Sequence, residues 1–145
     1  MWGYSRKRLT WKRLALNKME YALKKATALG FHETIEKITA LLKDEGFGIL
    51  TTIDVKDTLQ KKIGVEIGDY TILGACNPAF AHAAITNVAD VGVFLPCNVI
   101  IYTEKGQTVV AAFNPDIIFQ VMNHPGLSQL AADVKKKLVS ALEKI

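Results

Sequence analysis

Two β-rich runs, Val91–Glu104 and Gln107–Phe113, stand on either side of the dipeptide Lys105-Gly106. Two residues ending in glycine between runs of Val, Ile, Thr and Tyr are a hairpin signal. Such a turn can only join antiparallel strands, because a parallel pair needs a crossover of a dozen residues or more. An all-parallel doubly wound sheet is therefore disfavoured from the outset. Pro96 lies inside the first run and lacks the N–H that a ladder bond needs. It marks an edge strand, a bulge or a strand start.

Upstream, strand and helix signals alternate. Glu20–Thr27 reads as a first strand. In Phe31–Glu45 the residues Ile35, Ile38, Leu41 and Leu42 recur at helical spacing, and Gly46 stands where the helix should stop. Phe47–Ile53 reads as a strand, and Asp54 is a natural N-cap for a helix over Val55–Ile63 that ends before Gly64. Tyr70–Ala75 is a third strand. Asn77-Pro78 then supplies an N-cap and a first-turn proline for a helix reaching about Asn87. After the hairpin, Asn114-Pro115 opens a helix to Asn123. Leu127–Ile145 carries Leu130, Val134, Leu138 and Leu142 at four-residue spacing. The order β-α-β-α-β-α-β-β-α-α fits an α+β domain of two layers, a mainly antiparallel sheet with helices on one face.

The 145 residues suit one domain, and the net charge of +4 is unevenly spread. Residues 1–18 carry six of the 18 basic side chains (Arg6, Lys7, Arg8, Lys12, Arg13, Lys18) and none of the 14 acids, which leaves residues 19–145 at −2. With Trp2, Tyr4 and Trp11 among those cations, this segment could serve as an arm for nucleic acid or an anionic membrane. The plainer reading is a disordered extension, or a start upstream of a native Met19. The domain is then 19–145, and nucleic acid is expected as a partner only through residues 1–18. No apolar run approaches the ~18–20 residues of a membrane-spanning helix, so no membrane partner is expected. Two cysteines and no secretory signal point to the cytoplasm.

The strings ILGACNPAFAH and GVFLPCNVIIY, preceded by DEGFGILTTIDVKDTL, resemble the bacterial and archaeal domain-of-unknown-function family numbered 302. The likeness covers Met19–Ile145. It implies a compact α+β fold similar to the TATA-binding-protein type, usually a homodimer, with no established activity. A likeness of fold is no argument for DNA binding, since function resides in a site.

Chemistry concentrates on two Cys-Asn dipeptides. Cys76 just precedes a helix N-cap, where the dipole and free N–H groups favour a thiolate, so it is the candidate nucleophile. Cys97 follows the proline irregularity and is the candidate resolving partner or second ligand. Asn77 and Asn98 read first as structural groups, a helix cap and a partner for backbone left unpaired by Pro96. Either can also orient a polar ligand. His82, one turn into the helix after Pro78, can lean back toward Cys76 and complete a zinc set of Cys76, Cys97 and His82. That spacing matches no standard zinc finger or ribbon. His32 and His124 read as a surface and a loop residue. No GxGxxG, P-loop or GxSxG pattern occurs. Three functions follow: a binding module for a small molecule or metal ion around Cys76, Asn77, Cys97 and Asn98; a thiol-dependent enzyme or redox protein; or a structural or interaction domain.

Overall fold

The structure is a computed structural model, and it describes residues 20–145. The chain runs β1 (Ala22–Thr27), α1 (Phe31–Asp44), β2 (Gly48–Asp54), α2 (Val55–Ile63), β3 (Tyr70–Cys76), α3 (Pro78–Asn87), a 3-10 helix (Ala89–Phe94), β4 (Cys97–Glu104), β5 (Gln107–Phe113), α4 (Asp116–Met122) and α5 (Pro125–Glu143). The five strands form one sheet in the order β1-β5-β4-β3-β2, and every neighbouring pair is antiparallel. The expected α+β architecture is observed, with helices packed on one side.

The local signals act where the sequence puts them. Lys105 and Gly106 both take positive φ (50° and 76°), so the β4–β5 turn follows the right-handed twist of its strands. After α1, the Gly46 N–H donates to Lys43 O and the Phe47 N–H to Leu42 O, both at 2.9 Å. Gly46 sits at φ +84°, which closes the helix and turns Phe47 inward. Asp54 caps α2 by accepting from the Asp57 N–H at 2.9 Å. Gly64 ends α2 at φ +67°.

Between Val88 and Pro96 the structure corrects the expected strand. The hydrogen bonds Val91 N–H to Val88 O and Leu95 N–H to Gly92 O wind residues 89–94 into a 3-10 helix. β4 begins only after Pro96, so the proline marks a strand start, and β4 is an interior strand. The cause is tertiary: Val91 is buried with Ile118 and Leu127 in a second apolar cluster, which draws this segment off the sheet. His124 is also more than a loop residue. Its Nδ1 accepts from the Gly126 N–H at 3.1 Å, capping α5 two residues earlier than the apolar spacing suggests.

The main core lies between α1, α5 and one sheet face. Leu23, Ala112, Val99 and Leu73 form one cross-strand row of it, and Val110 and Ile101 belong to the next. Ile38 and Leu42 of α1 and Leu138 and Ala141 of α5 close it from above. Because side chains alternate along a strand, Ile53, Ile72, Ile100 and Ala111 line up across the opposite face. Asn114 ties the sheet to the helices after β5. Its Nδ2 donates to Glu20 O at 2.7 Å, while its Oδ1 accepts from the Asp116 N–H at 3.1 Å.

Candidate functional site

β3 and β4 pair so that Ala75 stands directly opposite Cys97. Cys76, the next residue, ends β3 at the point where the strand gives way to α3. Asn77 caps α3 by accepting from the Phe80 N–H at 3.5 Å, with Pro78 in the first turn. The Asn77 amide nitrogen lies over Gly46, close enough that a Cβ at Gly46 would sit 3.0 Å from it. A bare α-carbon at the end of α1 thus makes room for the residue that starts α3.

These residues border a cavity of about 60 Å³. Its floor is Ala75, Cys76 and Cys97 at the sheet end, with Phe47 beside them. One wall is Asn77, Phe80, Ala81 and Ala84 of α3, and the other is Leu127, Leu130, Ala131 and Val134 of α5. Val91, Leu95, Pro96, Pro115 and Ile118 close the end. The space exists because alanines face one another across it: Ala81 and Ala84 from α3 and Ala131 from α5 are too short to meet. Its lining is apolar except for the thiols and the Asn77 amide. A few waters or one small apolar group would fill it; the ~150 Å³ needed to hold benzene is well beyond it.

Cys97 is buried, and its thiol is pushed up to about 11, first by burial and then by the nearby charge of Cys76. It is a neutral thiol at physiological pH and therefore a poor nucleophile. Cys76 is half-buried, and both thiols are free.

Of the expected site residues, Cys76, Asn77 and Cys97 lie on this cavity. Asn98 does not: it is exposed on the opposite sheet face, in a surface depression with Val93, Phe94 and Phe113. His82 is also exposed and absent from the cavity wall, because the neighbouring positions Ala81 and Ala84 turn that side of α3 inward. Among the described residues no three His, Cys, Asp or Glu side chains are grouped to hold a metal ion. The apolar lining from Phe47, Leu127 and Leu130 carries no chemical motif, and only the helical spacing in α5 hinted at it. The basic segment 1–18 lies outside the described residues, and among those residues no helix is long and apolar enough to cross a membrane.

A family model described as Domain of unknown function DUF302 matches residues 23–145. The fold is similar to the crystal structure of an uncharacterised conserved DUF302 protein from Bacillus stearothermophilus, with a TM-score of 0.82 and 34% identity. That match covers 87% of this chain and 98% of the other. Among curated proteins, none matches the chain.

Proposed function

The chain belongs to the DUF302 family, and from that premise we propose that it is a binding module whose site is the cavity beneath α3. The observation that carries this is convergence: two thiols and one amide from the ends of β3 and β4 border a single apolar space. Small-molecule sites commonly combine an apolar lining with a few placed polar groups. The ligand is small, with an apolar body and at most one polar end toward Cys76 and Asn77. Xenon tests the cavity, being spherical, apolar and small. Xenon-pressurised crystals should show an atom between Ala81, Cys97 and Ala131, and Ala84→Val should exclude it. An empty cavity in the wild-type protein, or unchanged uptake by the filled variant, refutes the proposal.

A second reading, a thiol-dependent redox protein with Cys76 attacking and Cys97 resolving, is favoured by the shared cavity wall. It requires Cys76 to be alkylated much faster than Cys97 at pH 7; equal rates sink it.

As partner we infer a second copy of the chain, meeting through the open sheet face. Ile53, Ile72, Ile100 and Ala111 form one apolar row there, flanked by Tyr70 and Tyr102 stacked at 5.7 Å. Five strands ~4.8 Å apart, each ~20 Å long, make a flat footprint of roughly 480 Å². Side-chain relief raises the accessible area toward the ~800 Å² per partner that stable interfaces bury. Sedimentation should show a dimer that Ile100→Glu converts to monomer. A monomeric wild type, or an unaffected dimer in the variant, contradicts the inference.

A further inference from the structure

α3 covers the cavity but is weakly fastened to what surrounds it. None of its ten residues is buried, whereas α1, α5 and the seven-residue α4 each bury at least one side chain. Toward the cavity it presents Phe80, Ala81 and Ala84. An alanine methyl removes little apolar surface from water, and a side chain bordering a void lacks packing partners on that side. The side-chain hydrogen bonds of α3 turn back on the helix: Thr86 Oγ1 donates to His82 O and Asn87 Nδ2 to Ala83 O, both at 2.8 Å. None of the ion pairs among the described residues includes a residue of α3.

The firm attachments lie on either side of this helix. Before it, Ala75 is buried and paired in the sheet; after it, Val91 is buried with Ile118 and Leu127. Between these anchors, Asn77 holds the first turn by accepting from the Phe80 N–H at 3.5 Å, a long and therefore weak bond. Val88 leaves the last turn in an extended conformation, φ −144° and ψ 105°. Once released, a helix of ten residues is too short to persist in water. We propose that α3 is the lid of the cavity: it detaches and unfolds between Ala75 and Val91 while the sheet, α1 and α5 stay folded, and this opening admits ligand and exposes the Cys97 thiol on the cavity floor. The lid rests on the cavity reading above and supplies its route of entry.

The probes are amide hydrogen exchange and N-ethylmaleimide at pH 7 on the full chain, with alkylation of Cys97 separated from that of Cys76 by peptide mass. Amides of α3 should exchange at least about tenfold faster than those of Val99–Ile101 in β4, and low urea should barely change them, because a local opening exposes little surface. Ala83→Gly should raise α3 exchange and Cys97 alkylation together by about fivefold, the cost of glycine over alanine inside a helix. Ala132→Gly, the same change at an exposed position of α5, should move neither. Equal acceleration in the two variants means that Cys97 is reached by global unfolding, and overturns the lid. Cys97 alkylation that Ala83→Gly leaves unchanged overturns it as well. Xenon uptake by a chain whose α3 exchanges only through global unfolding removes the lid and leaves the cavity reading standing. An α3 that opens above a cavity empty of xenon refutes the cavity reading alone, since access to Cys97 is still gated.

Discussion

Raising the pH should destabilise this protein through Cys97, by an amount that can be worked out. The thiol rises from an ordinary value of 9.0 to about 11 in the folded chain, with burial the larger cause. In the unfolded chain it is solvated and ionises near 9. Below pH 9 both states hold the proton, and Cys97 adds no pH dependence. Between 9 and 11 the unfolded chain releases the proton while the folded chain keeps it, so stability falls as pH rises and the loss is complete near 11. Two units correspond to about 3 kcal/mol at the limit, and at pH 10.5 to about 2 kcal/mol. Lys and Tyr also titrate there, so the measurement is a difference: urea unfolding of wild type and Cys97→Ala, under reducing conditions, at pH 7.5 and 10.5. The packing cost of the alanine cancels between the two pH values. Wild type should lose about 2 kcal/mol more than the variant, a midpoint shift of roughly 1 M urea at a typical slope. If the two proteins lose stability in parallel, Cys97 is not sealed from water, and the closed floor of the cavity is wrong.

Asn114→Ala should cost about 1–3 kcal/mol in urea unfolding, because it removes a buried side chain that ties the Glu20 carbonyl and the Asp116 N–H together; a loss below about 0.5 kcal/mol would show that water replaces both bonds. Leu138→Ala removes a fully buried side chain of the main core, and should cost about 2–5 kcal/mol by the same assay. A chain beginning at Met19 should keep its circular dichroism spectrum and lose any salt-sensitive DNA binding shown by the full chain, since residues 19–145 carry a net −2. Equal DNA affinity in the shortened chain would show that the described domain itself holds the phosphate contacts.

Much of the fold was legible because its signals are short. Lys105-Gly106, Asp54, Asn77, Gly46 and Gly64 each act over two to four residues, and each performs the local task that its side chain or missing side chain suits. Part of the site was legible for the same reason: Cys76 beside an N-cap must lie at a strand end next to a helix start. The separation of Asn98 from Cys97 was also available in principle. Adjacent residues in a strand point to opposite faces, so a Cys-Asn pair inside β4 cannot present both groups to one ligand. His82 and the 3-10 turn at Ala89–Phe94 were different. Their placement depends on which side of α3 meets α5 and on Val91 joining Ile118 and Leu127. No window of neighbouring residues contains that information.

By itself, then, the sequence determined the hairpin, the capped ends of α1, α2 and α3 and the presence of one antiparallel pair, since turn and cap chemistry is decided by φ preferences and side-chain hydrogen bonds close in the chain. Tertiary structure decided that β1 pairs with β5 at one sheet edge while β2 lies at the other, and that two cysteines twenty-one positions apart share one cavity. Burial is a property of facing surfaces. Short alanines from α3 and α5 leave a space only once those two helices have been laid against the ends of β3 and β4.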